Sequence, residues 1–337
     1  MELYFPNYYH SFHCLAGSCP DSCCKEWAVD IDPDSARYYR DLPGDLGDRL
    51  RQVLTDQDGS TVMTIENGRC PMWQQDGLCR IQAELGHDAL CKTCREFPRL
   101  THDYGDFTEL GLELSCPEAA RLILTTPYRP PLVQAVPGGA EPDYDPADMA
   151  LLRCSRKDAL SFLQTARNIP AALAALLLYS YDVQNALDTG EDPASAPEDC
   201  LTEVTRYRGN GDIGAIFDLF RGLEILTPQW KQRLNTQPAV PSWSEIHRNL
   251  AIYFIERYWL QAISDFDLVG RVKFAITACL LIGYLGGNTI ETAQLFSKEI
   301  ENDPDNVDAI LDGAYTSPAL TDANLLYLLQ KDDSYEN

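Results

Sequence analysis

Nine of the chain's twelve cysteines lie in its first 116 residues: Cys14, Cys19, Cys23, Cys24, Cys70, Cys79, Cys91, Cys94 and Cys116. Their spacing is that of ligands. Cys14, Cys19, Cys23 and Cys24 fall within eleven residues, with Gly17 and Pro20 permitting sharp turns between them. Cys91-Lys-Thr-Cys94 has the two-residue gap of a chelating turn, and Cys70-Pro-Met-Trp-Gln-Gln-Asp-Gly-Leu-Cys79 supplies a further pair. Thiolates at such density bind zinc or an iron–sulfur cluster, and both prefer cysteine, so spacing leaves the two open. Any one cysteine can be a small buried hydrophobe, which is the reading favoured for Cys154, Cys200 and Cys279, but nine so grouped argue for a metal site. Neighbouring residues Cys23 and Cys24 point in different directions, so they serve different sites or one is packed. His13, beside Cys14, is expected to make hydrogen bonds, because the cysteines suffice as ligands. Arg95 and Arg99 would pair with a cofactor carboxylate only if a pocket is present.

Such a region needs elements to hold it. Residues 1–125 are broken by turns such as Leu42-Pro43-Gly44-Asp45 and Gln57-Asp58-Gly59-Ser60, and metal ligation would add folding free energy. Alternating patterns at Trp27–Asp32 and Phe107–Leu114 predict short strands. Residues 126–148 carry seven prolines and glycines between Pro127 and Pro142, with Pro146 beyond, and are read as a linker. A second loop is expected over Asp188–Asp199. Beyond the linker, helical spacing is predicted at Asp148–Arg167, Pro170–Leu187, Ile213–Leu226, Trp243–Ser264 and Leu268–Leu285. Ser242 or Ser244 would cap the fourth, with Glu245, Asn249 and Glu256 near a polar face and Leu250 and Phe254 inward. The segment Thr289–Asn337 reads as two more helices and a short acidic tail. The expected fold is mainly α: a cysteine-rich metal-binding domain with minor β content (1–125), the linker (126–148) and a helical bundle (149–337).

The balance of 27 basic against 51 acidic residues, a formal charge of −24, argues against nucleic acid or an anionic membrane as the main partner and suits a basic one; acidity for solubility alone is the plain alternative. The apolar runs Ala171–Leu178 and Ala275–Leu285 fall short of the roughly 20 residues that span a bilayer. The opening Met1-Glu2-Leu3-Tyr4-Phe5-Pro6-Asn7 lacks the pattern of a secretory leader, so a cytoplasmic location is expected, where thiols stay reduced and a disulfide framework is disfavoured.

The run Tyr8-Tyr9, Phe12-His13-Cys14, Cys19-Pro-Asp-Ser-Cys23-Cys24-Lys-Glu-Trp27, Val29-Asp30-Ile31-Asp32, Cys70-Pro, Gly77-Leu-Cys79-Arg-Ile81, Leu90-Cys91, Cys94-Arg-Glu-Phe-Pro-Arg99 and Ser115-Cys116-Pro-Glu118 resembles the flagellin lysine-N-methylase family, which is related to cysteine-rich zinc- or iron-chelating domains. Asn249-Leu-Ala-Ile-Tyr253, Arg257-Tyr258 and Val272-Lys-Phe274 resemble that family's later helices. The resemblance implies methyl transfer from S-adenosylmethionine to the ε-amine of flagellin lysines, by an enzyme carrying an iron–sulfur cluster of the 4Fe–4S type, with zinc as the alternative metal. The chemistry requires a neutral amine in line with the sulfonium methyl. A carboxylate or tyrosine could take the proton, and Glu26, Asp30, Asp32, Tyr8 and Tyr9 lie near the first cysteines, although each also has a plain structural reading. No catalytic or cofactor-binding residue is assigned. The chain lacks a strand, glycine-rich turn and helix of the doubly wound kind, and Gly283-Tyr-Leu-Gly286-Gly287 reads as a helix end. It also lacks the cysteine triplet of radical S-adenosylmethionine enzymes. The rival reading is a noncatalytic zinc- or iron–sulfur-binding module for interaction or redox sensing. Oligomeric state is not legible.

Overall fold

The computed structural model describes residues 1–57, 59–204, 206–207 and 209–330. Asp58, in one of the expected turns, and the expected acidic tail from residue 331 lie outside the described residues. The chain is mainly helical with two small sheets.

The described strands are β1 (Glu2–Phe5), β2 (Val29–Ile31), β3 (Leu54–Gln57), β4 (Ser60–Met63), β5 (Arg99–Asp103), β6 (Phe107–Leu112) and β7 (Leu132–Ala135). One sheet runs β5-β6-β1-β7, with β1 parallel to β6 and antiparallel to β7. The other runs β2-β4-β3, antiparallel throughout. β2 and β6 fall where alternation predicts them. β7 forms inside the proline-rich stretch, between Pro131 and Pro137, and takes a sheet edge, where proline costs no ladder bond. The β5–β6 hairpin turns at Gly105, whose φ of +89° favours glycine.

Several helices start where short polar side chains precede proline or an apolar run. Asp145 accepts from the Ala147 N–H at 2.8 Å before Pro146, and Asn168 accepts from Ala171 at 2.8 Å before Pro170. Asp267 does the same for Gly270 at 2.8 Å. The helix Ile169–Thr189 ends on left-handed Gly190. The expected Trp243–Ser264 helix is Glu245–Tyr258 followed by short turns to Asp265, and Ser244 at its start bonds His247 Nδ1 at 3.0 Å rather than capping. Three helices, Thr289–Phe296, Pro304–Thr316 and Asp322–Gln330, replace the two expected at the end. The first continues into a π-helical turn, Ser297–Glu301.

Helix Leu268–Leu285 is buried along its whole length. By length and composition it could cross a membrane, yet it lies entirely inside the fold, as a core helix does. Its two buried cations are paired, Arg271 with Asp265 at 2.7 Å and Lys273 with Asp322 at 2.8 Å. This helix centres a large hydrophobic core that also takes in Phe12, Phe107, Leu112, Leu114 and the helix Pro117–Thr125. A smaller core gathers Val29, Ile31, Tyr39, Leu50, Met63, Met72, Ile81 and Leu90 around Cys70 and Cys91.

Candidate functional site

The backbone brings the cysteine-bearing segments together. The Cys70 N–H donates to the Cys24 carbonyl at 2.8 Å and Glu26 N–H to Gly68 at 3.0 Å, which lays residues 24–26 along 68–70. Gly17 packs against the 74–78 turn so closely that a Cβ would stand 2.6 Å from the Asp76 carbonyl oxygen, so the Cys14–Cys19 loop can approach Cys79 only with glycine there. The Cys91–Cys94 turn is tied to β2, since Lys92 N–H donates to Asp32 Oδ2 at 2.7 Å and Thr93 Oγ1 to the Asp30 carbonyl at 3.0 Å. Cys116 opens the helix Pro117–Thr125.

The thiols interact as a connected group. Cys23 and Cys70 both interact with Cys24, which lowers the Cys24 pKa and raises theirs, while the Cys70 thiol donates to Met63 Sδ at 3.4 Å. The Cys94 thiol donates to Cys91 with the same division. Electrostatic coupling links Cys23 to Cys14 and Cys116, Cys94 to Cys23 and Cys24, Cys79 to Cys24 and Cys91, and Cys116 to Cys19 and Cys14. The nine thus share one region. Cys154, Cys200 and Cys279 stand in the helical part, and of these Cys154 is exposed, against the expectation of burial. All twelve are free.

As they stand, among the described residues no three or more His, Cys, Asp or Glu side chains are arranged to hold a metal ion. The Cys19 thiol instead donates to the Asp21 carbonyl and the Cys70 thiol to Met63 Sδ at 3.4 Å. The donor chemistry nonetheless fits a thiolate-seeking metal or cluster: Cys24 and Cys91 are biased to the anion that ligates, and their neighbours supply further sulfurs.

Several of the other named candidates have partners. His13 Nδ1 lies 3.0 Å from the Ser11 carbonyl. Glu26 pairs with Lys298 at 2.7 Å, and Asp32 caps the helix Pro33–Asp41 through Ser35 N–H at 3.0 Å. Asp30 and Asp32 line a broad groove of about 630 Å³ with Arg37, Arg40 and Lys92. Arg95 donates to the Leu90 carbonyl at 3.3 Å, and Arg99 sits over the Phe12 ring at 5.3 Å.

Tyr8 lines a second feature, a cleft of about 70 Å³ between the sheet and the helix Glu245–Tyr258. Its walls are Tyr4, Tyr8, His102, Glu109, Arg156, Tyr253, Glu256 and Arg257, with Leu100, Leu112 and Pro131 as apolar surface. Arg156 grips both oxygens of Glu109, one at 2.9 Å, and also donates to the Glu256 carbonyl at 3.0 Å. Arg257 donates to Tyr253 OH at 2.5 Å and pairs with Glu301 at 3.2 Å; Glu301 also accepts from Tyr258 OH at 2.9 Å. Glu256 has no ion pair among the described residues. Burial raises its pKa to about 7, against the pull of Arg156, while Tyr128 donates a hydrogen bond to it. Burial, helped by Arg257, lowers that of His102, whose Nε2 is buried without a partner.

The sequence reading placed Glu256 on a polar face and did not single out the cleft. The available signal was a charged pair, Glu256-Arg257, inside the otherwise aromatic and aliphatic run Leu250–Leu260. Two segments join the cleft to the cysteines: Tyr8 to Cys14, and Glu109 to Cys116 along β6. The longer is seven residues, which reaches at most about 25 Å.

No family model matches the chain, and no solved structure matches it. Among curated proteins it is 30% identical over 135 residues to the flagellar biosynthetic protein FliU of Salmonella muenchen, a match covering 36% of this chain and 76% of that protein. It is equally similar, at 30% over 135 residues, to proteins named lysine-N-methylase from Salmonella typhimurium and Salmonella choleraesuis, but there the match spans only 32% of their length.

Proposed function

The chain belongs to the flagellin lysine-N-methylase family, and from that premise we propose that it transfers a methyl group from S-adenosylmethionine to lysine side chains of flagellin, in the cytoplasm. The match to FliU over three quarters of that protein carries the proposal, supported by the names of the lysine-N-methylases. The nine thiols, Cys14 to Cys116, would hold an iron–sulfur cluster. Such a cluster would supply folding free energy and could help hold the methyl donor. The protein's own part is to present the lysine. A cleft with a carboxylate lacking an ion pair, aromatic walls and a short chain path to the cysteines supports that reading. The acidic chain, at −24, suits a partner that offers lysines.

The test is anaerobic purification with iron, sulfide and zinc analysis, followed by mass spectrometry of flagellin incubated with S-adenosylmethionine. Expected are iron and sulfide that vanish in Cys19→Ala and Cys94→Ala, and lysines heavier by one or more methyl groups. Protein that binds S-adenosylmethionine but methylates no flagellin lysine overturns the proposal, and stoichiometric zinc in a colourless protein turns it towards a noncatalytic module.

A further inference from the structure

We propose that the cleft between β6 and the helix Glu245–Tyr258 receives the ammonium end of the target lysine and that Glu256 takes its proton. The inference rests on the methyl-transfer reading and adds a site and a residue to it.

The size of the cleft selects what enters. About 70 Å³ is well below the roughly 300 Å³ at which pockets for drug-sized ligands begin. It is room for a slim alkylammonium and not for a nucleoside, so the methyl donor is presented from the open side.

Charge selects further. The Glu109 carboxylate is occupied by both arms of Arg156, and Glu301 by Arg257 with two tyrosine hydroxyls. The two guanidinium groups are therefore already neutralised and would not expel a cation. Among the described residues Glu256 remains without an ion pair, facing Tyr8, Tyr128, Glu109, Arg156 and Tyr253. His102 Nε2 is a second unmet demand, an acceptor if Nδ1 carries the proton of the neutral ring. Tyr4, Tyr8 and Tyr253 add aromatic surface of the kind that attracts a cation, and Leu100 and Pro131 cover its methylenes.

An ammonium cannot attack a sulfonium, because its lone pair is bound to a proton. Glu256 accepts one proton from the lysine Nζ. The freed pair then forms the N–CH₃ bond as the C–S bond of a sulfonium donor breaks, and the electrons of that bond stay on sulfur. The methylated nitrogen carries the positive charge, and Glu256 returns its proton to solvent. A carboxyl that titrates near neutrality is a better acceptor for this transfer than an ordinary one.

The test compares full-length wild type, Glu256→Gln and Glu256→Asp by rate of flagellin methylation from neutral to alkaline pH, and by calorimetric binding of n-butylammonium. Glu256→Gln is expected to lower kcat by about 10²-fold or more and to lose the titration near neutrality. It should also weaken butylammonium binding, and Glu256→Asp should recover part of each. A folded Glu256→Gln protein that methylates at the wild-type rate with the wild-type pH profile overturns the proposal and leaves the methyl-transfer reading intact. A wild type that binds butylammonium through Glu256 but methylates no lysine supports the ammonium site and overturns that reading instead.

Discussion

Glu256 ties function to stability at the scale of one residue. Its pKa lies near 7 in the folded chain against an ordinary 4.5, because burial disfavours the anion more than Arg156 restores it. Below pH 4.5 both folded and unfolded chains hold the proton. Between there and about 7 the folded chain keeps a proton that the unfolded chain releases, so stability falls as pH rises through that window and stays low above it, by about 3 kcal/mol at most. Glu256→Gln removes the titration. In urea melts it is expected to match wild type near pH 4.5 and to exceed it well above 7; equal stabilities at both would show that the carboxyl is not strained. At this scale the gathering of the nine cysteines in one region was legible, because it shows in their spacing. The cleft was not, because Tyr8, His102, Glu109, Arg156 and Glu256 come from five separate stretches that meet through the pairing of β6 with β5 and β1 and the packing of two helices on that sheet.

At the scale of elements, the helix Glu245–Tyr258 is a hub as well as a wall. Arg248 and Asn249, about 100° apart around its axis, reach the ends of two other helices. Arg248 donates to the Ala166 carbonyl at 2.7 Å, closing the helix Pro146–Thr165, and Asn249 donates to the Leu124 and Thr126 carbonyls at 2.9 and 3.3 Å, closing Pro117–Thr125. Carbonyls at a helix end lack partners within the helix. Asn249→Ala is therefore expected to cost about 1–3 kcal/mol in denaturant melts, far more than at a solvent-facing position. The sequence pattern located this helix and its polar side but not what that side meets. Period tells which residues are polar, and only the neighbours tell whether water or another helix end meets them. Apolar spacing found the helices expected at Asp148–Arg167 and Pro170–Leu187 but not their starts, which Asp145 before Pro146 and Asn168 before Pro170 fix locally. Strands β1, β3, β4, β5 and β7 were missed because four or five residues hold too little pattern, and β1 and β7 also pair far apart in sequence.

For the whole molecule, the cysteine segment is pinned to the helical part through Lys298. Its ammonium lies 2.7 Å from Glu26 and 3.3 Å from Asp21, and Gln294 Nε2 donates to the Ser115 carbonyl at 2.8 Å beside it. Lys298→Ala should loosen residues 14–27 by about 1–3 kcal/mol, read as faster local hydrogen exchange there with the exchange of Leu268–Leu285 unchanged. Equal protection in the variant would mean that backbone pairing with 68–70 holds the segment unaided. Lys298 stands on the π-helical turn Ser297–Glu301, and three residues on, Glu301 meets Arg257, Tyr253 and Tyr258. In an ordinary α-helix, charges of opposite sign three apart are neighbours and satisfy each other. The wider turn denies them that private pairing. Each must seek its match abroad, one among the cysteine loops and the other behind the cleft, so a single extra residue of winding turns a self-contained ion pair into two moorings.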